Sequence, residues 1–386
     1  LPWRDPLAGA PALGMLLEDA QGAHWLDTRS GMAREAGGRV QDVPLYSHAS
    51  RGRVRPAWSS ALEDREGGLW FASLDYGLWH VPANWRNFTV LARRDGDPAS
   101  LANAYVHGVA SARDGGLWLV GSGGVLDWLD PRNGQVRHRQ RAVCGDLIAT
   151  GVHEGRDGVV WVGCRGHLAR YDPRSGALKR WSRDAAVDPA PPNATFQFLE
   201  RSDGTLWLSD DAGVQWRDRD GRVLANLRAG DEGGLPPATT ISQMSRGPEG
   251  GIWLATSQGL WRWDEAGRGF TPVPGSPQGY VRGFTIANDG TLWTAGMGAL
   301  SAWRWVGATL AHVETIGTDE GMPMLVPSGV AVDGSGTLWL PTVRGLIRYE
   351  PAERRLRVYG VRDGLPSQEF SDTPIHVLPM GMLAMG

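Results

Sequence analysis

The apolar positions of this chain fall into short runs separated by turn residues. Residues 157–181 read DGVVWVGCRGHLARYDPRSGALKRW. Asp157-Gly158 has the composition of a tight turn, and the run that follows, 159–163, is too short for a helix and apolar on both faces. Turns at Arg165-Gly166 and at 173–176 lead into two further runs, 167–172 and 177–181. Short runs bounded in this way predict strands joined as antiparallel hairpins.

The same unit recurs along the whole chain. A Gly-containing turn followed by an apolar residue and Trp stands at Trp70, Trp118, Trp161, Trp207, Trp253, Trp293 and Trp339. An imperfect copy at Trp25 has His24 in the apolar slot, and a degenerate ninth copy, MGMLAMG, has Ala384 where Trp would fall. The Trp-to-Trp spacings run from 40 to 48 residues. That period matches one four-stranded propeller blade, and no segment sustains the 3.6-residue pattern of a helical repeat. Strand A precedes the turn, strand B carries the Trp, strand C is the run seen as GLWRWD (259–264), and strand D is the run seen as RLRVYG (355–360). Strand B reads LWLV, IWLA and LWLP rather than alternating, as expected for a sheet buried on both faces. All eight motif Trp side chains are therefore expected to fill the wedges between blades, each contributing about 3 kcal/mol or more.

The fold predicted is all-β. It is a single closed β-propeller domain of four-stranded antiparallel blades over residues 1–386, with nine blades preferred and eight as the alternative. The last blade is begun by residues 372–386, and the N-terminal segment 1–8 is expected to close it by supplying an outer strand. The first copy, 17–40, reads as irregular, with a weak third strand. Residues 185–192 (AAVDPAPP) read as an exposed insert between the fourth and fifth blades, and 231–237 and 363–366 as polar turns.

Composition narrows the function classes. Gly is 54 of 386 residues, about twice average usage, which suits a fold made of turns. The formal net charge of -3 offers no basic face for nucleic acid. Two cysteines, Cys144 and Cys164, are too few for a disulfide scaffold. They fall near one face of the fourth blade, so either a bridge in an oxidising compartment or two buried thiols is open. No apolar run approaches the ~18 residues of a membrane helix. The sequence has no initiator Met and no signal peptide, and it stops inside an apolar run, which reads as a piece of a longer protein.

The pattern D-x-x-G-x-L-W-x-x-T-x-x-G-L-x-R-Y stands nearly intact as EGGIWLATSQGLWRWD (249–264) and SGTLWLPTVRGLIRYE (335–350). It resembles the two-component regulator propeller repeat, and RDGLPSQEF (362–370) is similar to the segment leading into that family's last blade. The resemblance implies the periplasmic input domain of an inner-membrane signalling protein whose output is a histidine kinase or a diguanylate cyclase. It implies a non-enzymatic, cofactor-free domain that senses a small molecule. It also implies membrane attachment only through parts of the parent outside this sequence, and a parent compatible with a homodimer.

Catalytic and metal patterns are sparse. The carboxylate pairs Glu18-Asp19 and Glu63-Asp64 fall at A–B turns, where carboxylates accept backbone N–H bonds, and Asp210-Asp211 falls at a B–C turn. The nine histidines show no zinc spacing, and there is no P-loop, nucleophile elbow or H-E-x-x-H. Two alternatives to a sensor remain. One is a protein-interaction ring; the other is an enzyme resembling streptogramin lyases, which would need a His and a Glu converging on the central face. For the latter His107, His153, Glu154 and Glu200 are the available groups, the two glutamates near the far turn.

In a propeller the D–A and B–C loops share one face, and the A–B and C–D turns share the other. Here the second set is short and repetitive, while the first differs in every copy, as expected of a site on a regular scaffold. The variable face is expected to present Trp58, Tyr76, Tyr105, His107, Arg165, Arg282, Arg344 and His376. Arginines and aromatics together suit a small polar ligand with an anionic or planar group.

Overall fold

The computed structural model describes residues 12–29, 31–43, 45–47, 52–81, 88, 90–93, 100–131, 134–365, 367–370, 375–377 and 383–385. Its strands follow the Trp repeat. The fourth copy is the sheet Ala149–Glu154, Val160–Cys164, His167–Tyr171 and Leu178–Ser182, hydrogen-bonded in that order and antiparallel throughout. Seven four-stranded sheets of this kind occur among the described residues. The segment 1–8, expected to close the ring, lies outside them.

The chain divides into two compact units. The first, Leu1–Val90 with Val361–Pro366, holds the first two Trp copies. The first copy, read from sequence as having a weak third strand, is a complete four-stranded sheet in which Gly31–Ala36 pairs with both neighbours. The second has three strands, Trp58–Glu63, Leu69–Ser73 and Gly77–Val81.

The second unit, Leu91–Gly360 with Ser367–Gly386, holds six four-stranded sheets in series and a short hairpin, His376–Val377 with Leu383–Ala384. Strand A of each sheet lies against strand A of the next, and strand A of the eighth copy lies against His376–Val377. On the hairpin's other side, Ala384 packs against Leu101, Val109, Leu117, Leu119 and Leu129 of the third copy, the first sheet of this unit.

The A–B turns explain the motif. In the second copy the Asp64 N–H bonds Gly68 O (2.8 Å) and the Gly67 N–H bonds Asp64 O (3.1 Å), a hairpin loop that needs a left-handed residue before the strand resumes. Gly67 takes that conformation at φ 86°, as Gly336 does at φ 85° in the eighth copy. Asp64 Oδ1 accepts the N–H groups of Glu66 and Gly68, and Oδ2 accepts the Trp70 indole N–H at 2.8 Å. Asp333 repeats this with Ser335, Thr337 and Trp339, and Asp19 with Gln21, Ala23 and Trp25. The indole and backbone donors hold the Asp64 carboxyl below its usual range. These Asp residues are turn-and-Trp anchors, the structural role the sequence pointed to.

Neighbouring A strands are held by two devices at one position of the repeat. In the third and fourth copies the residue is Gly. A Cβ on Gly108 would stand 2.9 Å from Gly151 Cα, and one on Gly151 would stand 2.5 Å from Phe196 O. In the fifth and sixth copies it is Gln, whose amide bridges to the next strand. Gln197 Nε2 donates to Ser242 O (3.2 Å) and its Oε1 accepts Met244 N–H, while Gln243 Nε2 donates to Phe284 O (3.2 Å) and its Oε1 accepts Phe284 N–H (2.6 Å). Side-chain amides here replace the ladder that two adjacent A strands lack.

Apolar clusters fill the spaces between successive sheets. Trp253, Ala255 and Leu260 meet Phe284, Leu292 and Leu310 between the sixth and seventh copies. Six motif Trp residues are buried, but Trp70 and Trp339 are only half-buried, so the expectation that all eight are core residues needs correction. The insert 185–192 also differs from expectation: Ala190 is 5% exposed and Pro191 is buried.

Candidate functional site

The insert is pinned by a residue with no visible signal in the sequence. Arg217, on strand C of the fifth copy (Gly213–Arg217), is fully buried. Its Nε donates to Gln215 Oε1 (2.8 Å), Nη1 to Gly221 O (2.7 Å), and Nη2 to Asp188 O (3.2 Å) and Pro189 O. The guanidinium also lies 5.4 Å from the centroid of Trp181. Burial pulls its pKa down to about 10, opposed by Asp188 and Asp218, so it stays charged at neutral pH. Asp188 sits at φ 53°, and its carboxylate accepts the Val223 N–H at 2.9 Å. A charge taken out of water and satisfied by carbonyls of the insert fixes that loop in one conformation.

Pro192, at the end of the insert, lines a groove of about 590 Å³ between the fourth and fifth copies. The groove opens at the D–A and B–C end. Arg165 and Gly166 come from the B–C turn of the fourth copy, where the Arg165 N–H is held by Ile148 O at 2.9 Å. Arg183 follows strand D, and its Nε stands 3.6 Å from the exposed Asp184 carboxylate. Across from them, Asp211 Oδ1 accepts the Asn193 amide at 2.6 Å. Phe196 and Leu147, 47% and 44% exposed, add apolar surface. Asp210, beside Asp211, is buried and ion-paired to Arg228 at 2.7 Å.

The other expected site residues distribute as follows. Trp58 and Tyr76 belong to the first unit: Trp58 is half-buried against Phe71 and Trp79, and Tyr76 is exposed at a B–C turn. In the second unit Tyr105 is 70% exposed, with its backbone locked to Ser122. His107 is half-buried in Val106–Ser111. Arg344 is exposed at the B–C turn of the eighth copy. Arg282 Nε donates to Pro327 O at 3.3 Å, and the residue lines a water-sized cavity with Gln243, Ser328 and Ile375. His376 follows Ile375, and burial pushes its imidazole down to about 4. The groove thus gathers Arg165 with Arg183, Phe196 and Asp211, while Arg282 stands at the separate cavity beside Ile375.

The opposite end is occupied with structure. Glu63, Glu154 and Glu200 each end a strand A and accept a backbone N–H from the preceding copy's A–B turn, those of Ala20, Arg113 and Arg156. Glu154 also accepts the Trp118 indole N–H at 2.6 Å. His153 Nε2 stands 3.9 Å from Glu200, whose carboxyl lies below its usual range because of that histidine.

Cys144 and Cys164 form a disulfide, with Cα atoms 5.6 Å apart, inside the cluster between the third and fourth copies. His167 is close to both sulfurs. This is the sole metal-type grouping among the described residues, and the bridge consumes its two thiols.

No family model matches the chain, and no curated protein sequence matches it. Solved structures do. The extracellular domain of a hybrid two-component system from B. thetaiotaomicron is similar over 97% of this chain and 51% of its own, with 15% identity and a TM-score of 0.58. A catalytically inactive virginiamycin B lyase from Staphylococcus aureus, solved with quinupristin, is similar over 73% of this chain and 92% of its own, with 16% identity and a TM-score of 0.55. At these identities the likeness is one of fold, a series of four-stranded antiparallel sheets.

Proposed function

We propose that this chain is a periplasmic ligand-sensing input domain of a bacterial transmembrane signalling protein, of the two-component regulator propeller type. It binds a small polar ligand at the D–A and B–C end, and the kinase or cyclase output belongs to the rest of the parent. The observation that carries this reading is the contrast between the two ends. At one, variable loops wall a groove lined by Arg165 and Arg183; at the other, the strand A glutamates are spent joining sheets. The Cys144–Cys164 bridge supports an oxidising compartment, and the fold shared with a two-component extracellular domain supports the setting. The test is a thermal-shift screen of small polar metabolites. Melting should rise for at least one of them, with no requirement for a divalent cation. A screen in which nothing binds would contradict the reading.

A second reading, a lyase-like enzyme, is favoured by the virginiamycin B lyase likeness and by the His153–Glu200 approach. It requires cation-dependent turnover that His153→Ala abolishes.

The ring in this proposal is that of the second unit. The sequence favoured nine blades, but the hairpin ending at Ala384 packs on the third copy, which supports seven sheets closing on themselves. Removing residues 372–386 should then open the ring and expose two sheet edges, giving aggregation or a large loss of thermal stability. Unchanged melting of the truncated chain would remove the closure model.

A further inference from the structure

The groove between the fourth and fifth copies has a composition that selects one ligand class. Arg165 and Arg183 line it, and among the described residues Arg183 is ion-paired with the exposed Asp184, a weak competitor for an incoming anion. Two guanidinium groups on one open groove favour a carboxylate, which each can hold through paired N–H bonds. Asp211 adds an acceptor already oriented by Asn193. Phe196 and Leu147 expose large apolar side chains on the same lining as the charges. The volume, about 590 Å³, lies within the roughly 300–1,000 Å³ of small-molecule sites. The insert that leads into the lining residue Pro192 is held by Arg217 through the carbonyls of Asp188 and Pro189.

We infer that this groove is the sensing site and that it takes free α-amino acids with an apolar side chain. The carboxylate faces Arg165 and Arg183, the ammonium faces Asp211, and the side chain covers Phe196 and Leu147. The inference rests on the reading of this end of the sheets as the ligand-binding end, and it names the ligand class for that site.

Isothermal titration of the whole chain with L-phenylalanine, 3-phenylpropionate and 2-phenylethylamine tests it. L-phenylalanine should bind, and 2-phenylethylamine, which lacks the carboxylate, should not. The double variant Arg165→Ala, Arg183→Ala should weaken L-phenylalanine by about tenfold or more. Asp211→Asn keeps the acceptor for Asn193 and removes the charge. It should weaken L-phenylalanine and leave 3-phenylpropionate unchanged, and thermal melting of each variant establishes that it is folded. No binding of L-phenylalanine at millimolar concentration, or equal affinity in the double arginine variant, overturns the inference. If the metabolite screen instead yields a ligand that ignores Arg165 and Arg183 but is bound at another loop of the same end, the groove assignment fails while the sensor reading stands.

Discussion

Arg217→Ala lowers the free energy of unfolding by about 3–5 kcal/mol, the range for breaking a buried, fully bonded charge. The cost has two parts. The carbonyls of Gly221, Asp188 and Pro189 lose their donor in a place where Arg217 leaves no room for bulk water. The space vacated also lies against Trp181, so a cavity opens next to the cluster between the fourth and fifth copies. Urea unfolding measures the effect, and limited proteolysis within 185–192 reports whether the insert has come loose. Arg217→Lys keeps the charge but not the fork of donors and falls between the two. A loss under about 1 kcal/mol would mean that the insert holds itself and that Arg217 is incidental.

Trp253→Ala costs a similar amount, about 3–5 kcal/mol, for a different reason. Trp253 is 1% exposed and fills the wedge between the sixth and seventh copies, with Phe284 and Trp305 at ring-centroid distances of 5.9 and 6.0 Å. No neighbouring backbone can collapse into the space, because the sheets on both sides are fixed by their own ladders. Trp70→Ala should cost clearly less, since Trp70 is half-buried and its face is covered by His80. Paired urea titrations of the two variants check the ordering. Equal losses would mean that position in the repeat, not burial, sets the energy.

These two residues mark what the sequence could and could not disclose. Trp253 was legible because a Gly turn and a Trp recur in eight copies, and a period of this length leaves few architectures. Arg217 was not, because a charged residue on strand C normally points to solvent, and nothing local shows that a loop will fold over it. The joining devices were half legible. The carboxylate pair Glu63-Asp64 looked like turn capping, and Asp64 does cap its turn, but Glu63 reaches the preceding sheet at Ala20. Counting repeats located the hairpins along the chain, but the packing of Ala384 on residues such as Leu117, far away in sequence, left no local signal. Of the residues lining the proposed groove, Arg165 was named in advance from its B–C turn. Asp211 stood out only as half of a carboxylate pair, and Arg183, just after strand D, carried no signal.

Hydrogen exchange of the whole chain, with and without a small molecule that raises its melting temperature, tests the central claim most directly. The account predicts slowed exchange in 145–148, 165–166, 183–196 and 210–212, where the variable loops of the fourth and fifth copies meet, with 155–158 and 201–204 unchanged. Slowed exchange at the A–B turns 155–158 and 201–204, with the variable loops unaffected, would contradict it.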